Sequence, residues 1–333
     1  MTPVYRQIID HPSAWTRRSL GGDGPLRRRL TAAELDGVDR LLDATAHLAP
    51  QQATRADFDH PAVNALMAGL RDEIMHGRGA VIVEGLDPGR YDAERLERIY
   101  WGLGTHLGIG AAQSARGDRL GYVQNQADDE VKRGYRSLRE LHMHTDSYEL
   151  VGLMCVRKAK SGGLSGLVSG LALHNEILRT RPELLEPLYR GYRYASDEAR
   201  FSSKAITDEA IPAFCAVDGV VSCCYEPAHM KNAAQYLGEP LPADLAQACD
   251  YFDELSMRDD LALRLQLQPG EFMLWHNYIC LHSRTAFEDD PQQRRLLLRL
   301  WLSVPDGRPV DPAFRIRAET YERIYREARA RAA

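Results

Sequence analysis

The chain has 333 residues, 44% of them hydrophobic and 27% charged, with a formal net charge of -5. That composition suits a folded protein with a large core. It gives no electrostatic ground for a nucleic-acid partner, because the basic runs Arg17-Arg18 and Arg27-Arg28-Arg29 are short. The start lacks a basic segment followed by an apolar one, and no apolar run approaches the roughly 20 residues of a bilayer span, so neither secretion nor a membrane partner is expected. Six cysteines lie scattered without a C-x-x-C pair, which predicts reduced thiols in a cytoplasmic protein.

In chain order, "TAAELDGVDRLLDATAHL" predicts a helix with Thr31 and Glu34 as a capping box. A second amphipathic helix runs through "HPAVNALMAGLRDEIMHG" and stops at Gly77. "GAVIVEGL" reads as a buried strand from Ala80 to Val83, and "DAERLERIYWGLGTHLG" as a further capped helix. From Arg119 strands dominate: "RLGYVQNQ", "LHMHTDSYELVGLMCVRKA" and "GLSGLVSG". Helix returns over 171–190 and 241–260, around a hairpin in "PAFCAVDGVVSCCY" that turns at Asp218-Gly219. The last third is strand-rich: "RLQLQPGEFMLWHN", "CLHSRTAF" and "RRLLLRLWLSV". No internal repeat or linker divides the chain. Short antiparallel strands with interposed helices predict a β-barrel or jelly roll covered by helices.

The stretch "ELHMHTDSYELVG" places His142, His144 and Asp146 at alternate positions, so on a strand all three share one face. Two histidines and one carboxylate on one face of an octahedron hold divalent iron and leave three positions open. An H-x-D pair supplies two neighbouring ligands, and a distant strand must supply the third. His282 lies on such a strand, followed by a turn and a run on which Arg295, Leu297, Arg299 and Trp301 share a face. Two inward arginines in an apolar barrel call for an anion, and a dicarboxylate would supply it. Pairing of these arginines with Glu288 or Asp289 is the plainer alternative.

The segments "HGRGAVIVEGL", "YWGLGTHLG", "HTDSYELVGLMC", "SGGLSGLVS", "HNEIL", "LQPGEFMLWHN" and "LHSRTAFED…RRLLLRLWLS" together resemble the iron(II)/2-oxoglutarate-dependent dioxygenases of the taurine dioxygenase and clavaminate synthase-like branch. The resemblance runs from about Leu70 to Val304. It implies a mainly β, α+β fold: a double-stranded β-helix (jelly-roll, cupin-like) with flanking and inserted helices. The whole chain would form one dioxygenase domain, residues 1–70 being an N-terminal helical elaboration and 171–260 an insert between the two ligand-bearing parts of the barrel.

Carried over by position, His144, Asp146 and His282 would bind Fe(II). Arg295 would hold the far carboxylate of 2-oxoglutarate, Arg299 would support it or its near end, and the Ser165 hydroxyl would hydrogen-bond the cosubstrate. With O₂, the cosubstrate would give succinate and CO₂ as an unactivated C–H bond of a small molecule is oxidised. Retention of Asp146 favours hydroxylation, desaturation or cyclisation over halogenation. An amino-acid-derived or carboxylate-bearing substrate is expected, with Tyr122, Asn125, His142, Tyr148 and His276 as candidate contacts; a homodimer is the default assembly. Two rivals remain at this level. "HMHTDS" is one residue from the zinc motif H-x-H-x-D-H of metallo-β-lactamase-like hydrolases, which would use both His142 and His144. The barrel could also serve as a catalytically inactive ligand-binding module.

Overall fold

The computed structural model of the chain describes residues 3–114, 116–125, 137–195 and 206–332. Its centre is a pair of sheets. The larger runs Arg27–Arg29, Ala80–Glu84, Phe272–His276, Leu150–Arg157, Leu296–Ser303 and Ile109–Gly110 in spatial order, and Leu120–Val123 also pairs with Leu296–Ser303. The smaller runs Leu263–Leu265, Ser165–Ser169, Cys280–Arg284 and Leu141–His144. Pairings in both are antiparallel, apart from Arg27–Arg29 on Ala80–Glu84.

Alternation decides what lies between the sheets. Val151, Cys155, Met273, Trp275, Leu297 and Trp301 of the larger sheet share a core with Leu167 and Leu263 of the smaller. The intervening residues Met154, Phe272, Leu274, Leu298 and Leu300 face the other way, against N-terminal helices that contribute Leu66, Leu70, Leu96, Ile99, Tyr100 and Leu103. Each such buried Leu or Ile contributes about 1.5–3 kcal/mol. The helix Ala93–Gly104 starts where the Asp92 side chain accepts the Arg95 N–H, and its apolar stripe recurs every three or four residues. It docks so closely that a Cβ on Gly152 would stand 2.3 Å from the Tyr100 hydroxyl, which explains a glycine inside a central strand.

The capping box on Thr31 forms as the sequence predicts, and the hairpin turns at Asp218 and Gly219 with φ of 51° and 79°. The jelly-roll expectation holds. The helix Ala313–Ala332 was not anticipated. Its buried residues Phe314, Arg317, Tyr321, Ile324 and Tyr325 follow helical spacing, and three of them reach the site described next.

Candidate active site

Between the sheets lies a cavity of about 600 Å³, lined among others by His144, Asp146, Ser165, His282, Arg284, Arg295, Arg299 and Trp301. The small sheet builds its head. His282 and His144 are direct cross-strand partners, so their rings share one face and their centroids lie 4.3 Å apart. The strand carrying His144 ends at that residue, so Asp146 lies beyond it rather than on the same strand face. Side chains hold it there instead. Asn277 accepts the Asp146 N–H and donates to the carbonyl oxygens of Asp146 and Tyr148, at 2.9, 2.8 and 2.9 Å. Arg317, from the C-terminal helix, donates to the carbonyls of Thr145 and Asp146 at 2.6 and 3.2 Å.

One nitrogen or oxygen from each of His144, Asp146 and His282 falls within 4.8 Å of the others. The protonation states suit a divalent cation. Burial first, and then His144, pushes His282 down to about 3, so its imidazole is neutral. Burial opposes ionisation of Asp146, but Arg299, both histidines and the Trp301 indole outweigh it and hold the carboxyl below its ordinary range. His144 donates Nδ1–H to the His142 carbonyl at 2.7 Å, which leaves Nε2 for a ligand. Two imidazoles and one carboxylate are a donor set for Fe(II) with open positions.

Arg295 and Arg299 lie 3% and 6% exposed at the other end of the run that the sequence singled out. Arg299 donates Nε–H to Gln113 Oε1 at 2.8 Å and stands 3.8 Å from Asp146 Oδ2, beside the His-Asp-His group. Arg295 lies deeper. Its Nη1 has no hydrogen-bond partner among the described residues, and burial pushes the guanidinium down to about 10. Among the described residues Asp289 accepts the backbone N–H of Arg295 and not its guanidinium, which leaves Nη1 for another anion. Ser165 is buried and lines the same cavity.

Of the candidate substrate contacts, only His142 lines the cavity, at its exposed rim. Tyr122 follows the parity of Leu120 and packs on the helix-facing side of the sheet. His276 is fully buried, 3.2 Å from Glu149 and accepting the Tyr278 N–H, because its neighbour Trp275 takes the inward position. Tyr148 lies behind Trp301 and donates to Glu322 at 3.1 Å. Asn125 does not line the cavity either. Sequence reading passed over Arg284, Gln113, Asn277 and Arg317. Arg284 carried a signal: it stands two residues after His282 on one strand and therefore on the same face.

A family model, taurine catabolism dioxygenase TauD, TfdA family, matches residues 44–301. The chain belongs to this family. It is an Fe(II)/2-oxoglutarate-dependent dioxygenase, as the resemblance implied, and the zinc-hydrolase and inactive-module readings are set aside. His142 also lies outside the metal-competent group. Among similar proteins, FR-33289 synthase of Streptomyces rubellomurinus is 28% identical over 80% of this chain and 83% of its own. A taurine hydroxylase-like protein of Stachybotrys chartarum is 26% identical over 88% and 79%. Asparagine oxygenase, solved with Fe(II), 3-hydroxyasparagine and succinate, superposes with a TM-score of 0.68 at 17% identity, covering 84% of this chain and 93% of that one. The non-haem iron oxygenase OrfP, solved with Fe and alpha-ketoglutaric acid, gives 0.61 at 15%, covering 83% and 94%. These last two likenesses speak for the fold. Among the described residues no helix is long and apolar enough to cross a membrane.

Proposed function

We propose that the chain hydroxylates a small amino-acid-derived substrate, with His144, Asp146 and His282 as the Fe(II) ligands and Arg295 as the anchor for the far carboxylate of 2-oxoglutarate. The observation that carries this reading is the pairing of a compact His-Asp-His group with a buried, anion-seeking guanidinium in one cavity. Iron with its cosubstrate and O₂ would supply the oxidising power, one oxygen atom going into succinate as CO₂ is lost and the other into the hydroxyl that forms at a substrate C–H bond. The protein's part is positioning. Arg295 fixes the cosubstrate by its far end, Ser165 offers a hydroxyl to it, and Arg299 meets its metal-side carboxylate. The apolar walls Leu153, Trp301 and Val123 exclude water from the reacting end.

An amino-acid substrate is supported by the products bound in asparagine oxygenase and OrfP, 3-hydroxyasparagine and (3S)-hydroxy-L-Arg. The outer cavity wall fits a zwitterion, since it carries Asp253 and Lys231, charges of opposite sign. We assign a cytoplasmic location from the six free, buried cysteines, and a homodimer as the default assembly, which light scattering checks. The reading as a whole is tested anaerobically. Fe(II) and 2-oxoglutarate should give a visible charge-transfer band that His144→Ala abolishes and that Arg295→Ala shifts to much higher cosubstrate concentration. Amino acids are then screened for stimulated succinate release; well-folded protein that gives no band would sink the proposal.

A further inference from the structure

We propose that Arg284 is a second ligand for the far carboxylate of the cosubstrate, so that this end of 2-oxoglutarate sits between two arginines rather than on Arg295 alone. The inference rests on the 2-oxoglutarate reading above.

The strand Cys280–Arg284 puts His282 and Arg284 on the same face, one pleat apart. His282 points to the metal end of the cavity, and Arg284 therefore points to its floor, directly across from Ser165, its cross-strand partner. Arg295 arrives at the same floor from the opposite sheet. The two guanidinium carbons lie 4.8 and 4.9 Å from the centre of one ring, that of Phe287. Both side chains line the cavity, and they are only 5% and 3% exposed.

Two like charges gathered in a buried place are costly unless an anion joins them. Burial and the neighbouring Arg295 push Arg284 down to about 10. Among the described residues, Asp289 is the acid that offsets part of this charge. One carboxylate against two guanidinium groups leaves room for one more anion. The hydrogen-bond inventory agrees. Arg284 uses Nη2 to donate to the carbonyls of Ser137 and Arg139, while its Nε and Nη1, and Nη1 of Arg295, have no partner among the described residues. Space is kept for the pair by Gly163, at φ +69°, where a Cβ would stand 3.3 Å from Arg295 Nε.

Arg284 has a competing structural role, because it ties down the segment 137–139 that leads into the His144 strand. The test must separate the two. Binding of 2-oxoglutarate and of 2-oxobutyrate, a 2-oxo acid without the far carboxylate, is measured on the Fe(II)-loaded protein without O₂, for wild type, Arg284→Gln and Arg284→Lys. A carboxylate contact predicts that Arg284→Gln weakens 2-oxoglutarate on the order of tenfold to a hundredfold and leaves 2-oxobutyrate within about twofold, with the lysine variant in between. Equal weakening of both ligands, or of neither, overturns the proposal and leaves Arg284 a structural residue. If the glutamine variant does not fold, the same comparison on the lysine variant decides. Failure of the wild-type protein to bind 2-oxoglutarate would instead overturn the proposed function.

Discussion

Trp301 donates its indole N–H to Oδ2 of Asp146 at 2.7 Å, buried on both sides. Trp301 belongs to the larger sheet and Asp146 to the loop that follows the small-sheet strand Leu141–His144, so this bond fixes the carboxylate to the wall that also carries Arg299. It holds Oδ2, the oxygen that also lies 3.6 Å from His282 Nε2. Trp301→Phe keeps the apolar ring and removes only the donor. We expect Fe(II) affinity to fall about tenfold, the lower end of what partners of metal ligands contribute, with little change in cosubstrate affinity at saturating iron. An anaerobic metal titration checks this, and unchanged affinity would show that the packing of the loop alone holds Asp146.

Asn277 is the second device that fixes Asp146. Its side chain makes three hydrogen bonds to the backbone of residues 146 and 148 while fully buried. Asn277→Ala takes this partner from the Asp146 N–H and the Tyr148 carbonyl in a place closed to water, while the Asp146 carbonyl keeps Arg317. The cost should be about 2–3 kcal/mol of unfolding free energy, read from urea midpoints of the metal-free protein. Asn277→Asp, which offers no N–H, should be at least as damaging. A stable alanine variant would mean that water replaces the amide.

How much of this site was readable beforehand follows from the range of each interaction. His144 and Asp146 are two residues apart, and Arg295 and Arg299 stand on a run whose parity is plain, so local pattern sufficed for them. The strand ending at His144, however, means that Asp146 reaches the cavity through Asn277 and Arg317, which lie 131 and 171 residues away. No local pattern announces such partners. Tyr122 and His276 fail for a related reason: proximity to a motif along the chain does not survive a change of strand parity. The segment "AFRIRAETYERIYREARARA" is so rich in charge that only its sparse apolar stripe marks it as a packed helix. The fold was the more legible part, because alternating strands, caps and the Asp218-Gly219 turn are all short-range signals.

His174 carries the clearest pH dependence away from the metal group. It is 0% exposed, its Nε2 lies 3.0 Å from the Tyr189 hydroxyl, and burial pushes it down to about 4. Between pH 6.5 and 4 the unfolded chain binds a proton at this residue and the folded chain does not. Stability therefore rises with pH across this window and is lost as the pH falls through it. At pH 5 the loss should be about 2 kcal/mol relative to pH 7.5. His174→Gln cannot titrate, so the difference between its pH 7.5 and pH 5 midpoints should be smaller than that of the unmodified protein by this amount. Parallel pH profiles for the two would rule out His174 as the source.

Arg317 makes the C-terminal helix part of the active site. Its Nη1 donates to the carbonyls of Thr145 and Asp146, and its Nη2 lies 3.8 Å from Glu226 at the start of the helix Pro227–Leu237. One buried cation thus joins the loop that carries Asp146, the helix Pro227–Leu237 and a helix beyond the residues matched by the family model. Arg317→Met keeps the length of the side chain but leaves two carbonyls and the Glu226 carboxylate without their donor. We expect a loss of about 3 kcal/mol in stability, the cost of breaking one side of a buried ion pair. Fe(II) affinity should fall with it, because Asp146 loses one of its two backbone clamps. Arg317→Met/Glu226→Gln should recover part of the stability by removing the stranded charge, but not the metal affinity, since the Thr145 carbonyl stays without this donor and Asp146 keeps only the Asn277 clamp. Recovery of both together would place the effect in the ion pair and not in the loop that carries the metal ligand.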